Sequence, residues 1–284
     1  MISYEVTPAR CMMCSASDDI QYISTNGVQV LGVTTVDDEL FLLLNRNYDQ
    51  IAVYAIAAAD YRLLGTLSLP GHYNEIASCG HHKCLYACTS GIRGDKSVHR
   101  YDMRRKDLSK WAVNGFPQGL SVTADFNLLV TSRSPNKLVL MSGSGGRCLR
   151  EISLDVLDNP SHGVQLFDSR FIVCHRDPAG VSKVSLLVVV SGMAAAAVGR
   201  QDCTAGLLEW PHHLAVDANS RKVFVADLGR RRVVQLSPSA TLEYERIVVD
   251  GMPAAPRRLC FHPATRRLFV APLFGDGRLA VIQT

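Results

Sequence analysis

Apolar positions in this chain fall into short runs, about four to eight residues long, divided by polar turns. No stretch keeps helical 3.6-residue spacing over ten or more positions. The runs repeat. A short apolar start recurs at Gly32-Val33, Glu75-Ile76, Gly119-Leu120, Gly163-Val164, His213-Leu214 and Arg258-Leu259, at separations of 43, 44, 44, 50 and 45. About nine residues after each start comes a second run, such as Phe41 to Leu44, Leu85 to Cys88 or Val223 to Ala226. A third follows each time, such as Ile51 to Ile56, Val98 to Met103 or Val233 to Leu236. A weaker fourth follows five of the six, as in Leu64 to Leu69, Leu149 to Leu154 and Glu245 to Val249. Polar hairpin turns such as Asp37-Asp38-Glu39, Asp125-Phe126-Asn127 and Asn219-Ser220-Arg221 join the first two runs.

Six units of four antiparallel strands predict an all-β protein, a six-bladed β-propeller. The sixth unit ends after three strands, and an unassigned strand-like segment, Ile20 to Ser24, precedes the first unit. That segment is predicted to supply the missing strand and close the ring, because an open edge would invite aggregation. The organisation is then a flexible tail over 1–19 and one propeller over 20–284. The apolar stretch Val184 to Gly199 is too short for a membrane span and is broken by Ser191-Gly192, so it reads as a buried strand.

The fifth unit is the sharpest. It runs Trp210-Pro211-His212-His213-Leu214-Ala215-Val216-Asp217, then Lys222 to Asp227, then Arg232 to Leu236. It resembles an NHL repeat, with a strand ending in Val-Asp, a strand ending in Ala-Asp, and an Arg-Val strand. Asn45, His175 and Pro272 replace the second Asp elsewhere. The whole is similar to the propeller that ends tripartite-motif ubiquitin ligases, without their RING. That resemblance implies recognition of a protein substrate, or of RNA in some members. This chain would then act as an adaptor or detached recognition module in ubiquitin ligation.

Composition narrows the classes without naming a function. A formal charge of +4 is too mild to mark a dedicated nucleic-acid binder, and 47% hydrophobic residues are ordinary for a globular chain. Nine cysteines with no apolar leader suggest a reduced, cytoplasmic protein, read here as a monomer with no membrane contact. Cys11-Met12-Met13-Cys14 is a lone CxxC without the second pair a zinc site needs.

Catalytic constellations are sparse. NHL-type amidating lyases present Pro-His pairs on several inner strands to hold zinc. Only Pro211-His212 fits, against Pro117-Gln118, Pro160-Ser161 and Pro256-Arg257. Calcium-dependent lactonases need a Glu/Asn/Asp set, and only Glu75 and Asn74 are at hand. His162, His212 and His213 are read as inner-strand residues bonded to backbone or water. Cys79, Cys84, Cys88, Cys174 and Cys260 are read as small core residues. No catalytic residue, metal or cofactor is assigned.

The charge distribution is more pointed. Loops between second and third strands share one face with the blade-to-blade loops, and they hold eleven Lys/Arg against five Asp. Arg46, Arg93, Lys96, Arg133, Lys137, Arg176, Arg230, Arg231 and Arg278, with Trp210 and His212, form the candidate binding set. Arg is suited to bidentate capture of carboxylate or phosphate. Arg232 is set apart as the repeat's own structural Arg. The expectation is a non-catalytic module that holds a protein partner, such as an acidic peptide, on this face. An RNA-binding propeller is the alternative, and a metal-dependent lyase or lactonase the second.

Overall fold

A computed structural model describes the chain except residues 1–19, 46–48, 58–59, 90–94, 156, 168, 177–178, 190–196, 203–207, 238–241 and 275–276, and the side chains of 197–202. The tail expected over 1–19 therefore lies outside the described residues. The described chain folds into six four-stranded antiparallel sheets arranged as a six-bladed propeller.

Blade 1 is β2 to β5 (Val30–Val36, Glu39–Leu44, Gln50–Ile56, Tyr61–Ser68), and blade 2 is β6 to β9 (Tyr73–Cys79, Cys84–Thr89, Ser97–Asp102, Asp107–Ala112). Blade 3 is β10 to β13 (Phe116–Val122, Leu128–Arg133, Lys137–Met141, Cys148–Ser153). Blade 4 is β14 to β17 (Asp158–Phe167, Arg170–Arg176, Ser182–Val189, Ala197–Asp202), and blade 5 is β18 to β21 (Pro211–Val216, Val223–Asp227, Arg232–Ser237, Glu243–Val249). Blade 6 is β22 to β24 (Pro256–His262, Arg267–Pro272, Arg278–Gln283) and takes its outer strand from β1 (Ile20–Ser24). β1 runs antiparallel to β24, with Tyr22 opposite Ala280, as the sequence predicts.

The second strand of each blade is buried along nearly its whole length because each blade packs on two neighbours, while outer strands such as β5, β9 and β21 are largely exposed. The buried residues accordingly form six clusters, one at each blade interface. Phe269 and Leu279 of blade 6 meet Leu40 and Leu42 of blade 1, for example. A fully buried side chain of this kind stabilises the fold by about 1.5–3 kcal/mol, so the interfaces drive ring closure. The predicted core cysteines Cys79, Cys84, Cys88 and Cys174 are buried, and Cys260 is half-buried.

The inner strands β2, β6, β10, β14, β18 and β22 contact one another around the central channel. One register detail differs from the sequence reading. In blade 4, His162, not Gly163, pairs at the level of the other unit starts. The reason is a wider bulge at the head of β14, whose consequence appears below.

Candidate functional site

Every inner strand carries a β-bulge near its first residue, at the face where blade-to-blade and second-to-third-strand loops emerge. Bulges re-aim side chains, and they are frequent beside functional sites. The residue just past each bulge is Gly32, Glu75, Gly119, His162, His213 or Arg258. These six share one level of the channel. Two are glycines, and a Cβ on Gly119 would sit 2.7 Å from the His162 ring and from the Ser161 carbonyl oxygen. The absence of a side chain there gives His162 its place.

The four ionisable members close the channel. Arg258 Nε lies 2.6 Å from Glu75 Oε2, and His213 Nε2 reaches the same oxygen at 3.4 Å from the opposite blade. Their exposures are 3%, 1% and 5%, so water contributes little. Burial pushes the Glu75 carboxyl upward and Arg258 pulls it back. Because arginine stays protonated, its buried charge calls for the Glu75 anion as partner. The His162 and His213 rings stack at 3.7 Å between centroids.

Backbone donors fix the tautomers. The Leu259 N–H donates to His213 Nδ1 at 3.2 Å, and the Leu214 N–H donates to His162 Nδ1 at 3.4 Å. An amide can only donate, so both imidazoles carry their proton on Nε2. For His162 that proton goes to the Leu120 carbonyl at 3.1 Å. Burial first, then the neighbouring cations and rings, hold His162, His212 and His213 well below the ordinary histidine value. All three are neutral near pH 7.

Above this plug the channel opens into a polar pocket of about 310 Å³ spanning blades 3, 4 and 5. Its lining includes Gln118, Arg133, Ser161, Arg176, Trp210 and His212. The blade 4 bulge builds it. In the other five blades the bulge loops out one residue of the inner strand, but between Asp158 and His162 three residues stand opposite one of β15. Asn159 in this bulge takes φ 45°, a left-handed conformation. Arg133 is half-buried, and its Nε donates to the Pro160 carbonyl at 3.0 Å. Burial and the neighbouring Arg176 charge lower its pKa, while Asp158 opposes them. The Arg176 guanidinium lies over the Trp210 ring, 5.3 Å from its centroid. Trp210 is 43% exposed. Beneath it, buried Asp227 accepts the Glu209 and Trp210 amides at 2.9 and 3.2 Å and pairs with Arg232 Nε at 2.9 Å. The repeat's Asp and Arg thus anchor the loop that presents Trp210.

The expected binding residues separate into groups. Arg133, Arg176, Trp210 and His212 come together at the pocket. Lys96 is exposed and lies over Phe116, with Nζ 4.1 Å from the ring centroid. Arg230 lies 3.9 Å from Glu209 at the surface, Arg231 is exposed, and Arg278 lies over Tyr22. Lys137 is not a surface cation: it is buried and its Nζ pairs with Glu151 at 2.6 Å, because β12 points it back onto β13. Arg46 and Arg93 lie outside the described residues. Sequence reasoning missed Gln118, Asn159, Ser161 and Ser182 as pocket lining. The signal was the Pro-X pairs at 117–118, 160–161 and 211–212, whose second members all face the mouth. It also missed that Arg258 neutralises Glu75. Among the described residues no group of three or more His, Cys, Asp or Glu is placed to hold a metal ion.

No protein-family model and no curated protein matches the chain. Solved structures do. Hydrazine synthase of Kuenenia stuttgartiensis matches at TM-score 0.63 and 14% identity, over 96% of this chain and 99% of that one. The Swd1 β-propeller domain of Myceliophteria thermophila matches at TM-score 0.57 and 10% identity, over 90% of this chain and 82% of that one. A catalytically inactive virginiamycin B lyase from Staphylococcus aureus, with quinupristin, matches at TM-score 0.58 and 12% identity, over 93% and 99%. At these identities the likeness establishes the propeller fold, which hosts binding modules and enzymes alike.

Proposed function

We propose that this protein is an NHL-type recognition propeller that holds an acidic segment of a protein partner at the channel mouth over blades 3 to 5. One observation carries the reading. Arg133 and Arg176 converge on a polar pocket beside a half-exposed Trp210, and the Arg176 guanidinium makes no hydrogen bond or ion pair among the described residues. A guanidinium with no ion pair among the described residues is electrostatically suited to an anion brought by a partner. Arg and Trp are also the residue types that dominate binding energy at interfaces. The Asp227–Arg232 pair beneath Trp210 supports the repeat assignment, since it gives the motif's Asp and Arg a structural task. Substrate recruitment to ubiquitin ligation is the cellular role this reading suggests.

The test is capture of partners on immobilised protein, wild type against a form with Arg93, Arg133, Arg176 and Arg231 all changed to Glu. Partners sharing an acidic segment, and lost on charge reversal, support the proposal. Unchanged capture by the reversed form overturns it. Salt-sensitive binding of single-stranded RNA, lost in the same variant, would move the assignment to RNA. Stoichiometric metal retained through purification would favour a metal-dependent lyase or lactonase instead.

A further inference from the structure

We propose that the pocket over blades 3 to 5 is a phosphomonoester socket, in which Arg133, Arg176 and the Nε2–H of His212 hold the oxyanion of a phosphorylated side chain on the partner. This rests on the recognition reading above and specifies its anchor.

His212 carries the argument furthest. Arg258 donates from Nη1 to His212 Nδ1 at 3.1 Å, and from Nη2 to the Asn74 carbonyl at 3.1 Å. A guanidinium can only donate, so His212 Nδ1 accepts and its proton sits on Nε2, at the opposite edge of the ring. His212 lines the pocket, and its Nε2–H has no partner among the described residues. Glu75 pairs with Arg258 at 2.6 Å, so contacts run from the carboxylate through the guanidinium to the imidazole, from the channel plug to the pocket. The side-chain hydroxyl of Ser161 donates to the His212 carbonyl at 2.9 Å and steadies the same residue.

The remaining groups favour an oxyanion of high charge. The terminal nitrogens of Arg133 make no hydrogen bond among the described residues, because only Nε is engaged, by Pro160. Arg176 adds a second guanidinium, and Asp158 partly offsets the charge on Arg133. The donors come from three blades: Arg133 from β11, Arg176 from β15 and His212 from β18. Three converging donors suit a group with three terminal oxygens. A carboxylate offers two oxygens and one charge, whereas a phosphomonoester carries about −1.5 to −2 near neutral pH. Paired arginines are also a recurrent means of recognising phosphorylated segments.

The probes are a short peptide with one phosphoserine, its serine and glutamate counterparts, and inorganic phosphate, titrated onto the full chain by calorimetry. Phosphopeptide binding, displaced by inorganic phosphate, is expected, with the glutamate peptide at least about tenfold weaker. Arg176→Gln is expected to weaken phosphopeptide binding about 10- to 100-fold, the effect of losing a hydrogen bond to a charged group. Arg231→Gln, on the same face but outside the pocket, is expected to stay within about twofold. Nitrogen NMR of histidine-labelled protein gives a readout independent of affinity. His212 is expected as the neutral Nε2–H tautomer, with that resonance shifting when inorganic phosphate is added.

Equal losses in Arg176→Gln and Arg231→Gln would overturn the socket and leave acidic recognition by the wider face. Equal binding of the glutamate and phosphoserine peptides would do the same. A His212 resonance unmoved at phosphate saturation overturns the socket as well. Phosphate bound at His212 by a protein whose partner capture is indifferent to charge reversal would overturn the recognition reading and keep the socket.

Discussion

Arg258 and His212 meet at 3.1 Å, and that single bond decides which imidazole nitrogen faces the pocket. Arginine has no acceptor to offer, so His212 has no tautomeric freedom while the bond lasts. Arg258 is fixed in turn by Glu75, from a blade that is not its neighbour. Residues from blades 2, 5 and 6 are thereby tied together at the channel axis.

Removing the Glu75 charge should be costly. Glu75→Gln leaves Arg258 buried at 3% exposure without a counter-ion. Breaking one side of a buried pair typically costs about 3–5 kcal/mol. Urea unfolding at pH 7.5 should show a loss of that order. Adding Arg258→Gln should restore more than half of it. A single variant within about 0.5 kcal/mol of wild type would mean the pair is not holding the plug.

Acid should destabilise the fold through the channel histidines. His162, His212 and His213 have native pKa values held well below the ordinary histidine value of about 6.5, so they are neutral when folded and accept protons when unfolded. Their contribution is full above about pH 6.5 and is lost as pH falls below it. Each contributes a slope of up to about 1.4 kcal/mol per pH unit. Denaturation midpoints followed from pH 8 to pH 5 should be flat, then fall below about 6.5. His162→Gln should soften that fall. A profile unchanged in the variant would place the linkage elsewhere.

Gly119→Ala should strain the site without touching a charge. Its Cβ would lie 2.7 Å from the His162 ring and from the Ser161 carbonyl oxygen, neither of which is a flexible chain end. Overpacking of this kind costs about 1–3 kcal/mol. The thermal midpoint should drop, and histidine NMR should show His162 displaced. Gly65→Ala, where no atom lies within 4 Å of the added carbon, is the matched control and should stay close to wild type.

Deleting residues 1–27 should open the ring. The deletion removes β1 and its ladder to β24, the buried Ile23, and the Thr25 side chain that donates to the Gly277 carbonyl at 2.7 Å. It exposes the edge of β24, an unpaired strand edge of the kind that drives aggregation. Light scattering and a melting curve decide the matter, and a soluble, cooperatively melting truncation would show that closure is dispensable.

The fold was legible because blade periodicity is local information. Alternating apolar runs and polar turns such as Asn219-Ser220-Arg221 set each strand, and the missing fourth strand of the last unit announced the role of Ile20 to Ser24. Blade 4 was placed one residue out. Its bulge adds an extra residue over those of the other blades, and apolar pattern does not register a bulge whose members are polar.

The site was half legible. Charge and loop position picked out Arg133, Arg176, Trp210 and His212, which line one pocket in the structure. The same reasoning kept Lys137, which the register turns inward onto Glu151. Loop membership gives the face of a side chain but not the direction of its last atoms.

What the sequence determined by itself is what repeats, strand order and blade number, and, from the one incomplete unit, ring closure. What only the tertiary structure decided is what happens once, at the axis. Glu75, His162, His213 and Arg258 are scattered over four repeats, and nothing local marks them as partners. Their meeting follows from six inner strands converging on one channel, where side chains from distant repeats come within a few ångströms. At that range, with the side chains buried, charge pairing and the backbone and guanidinium donors set which histidine nitrogen carries the proton.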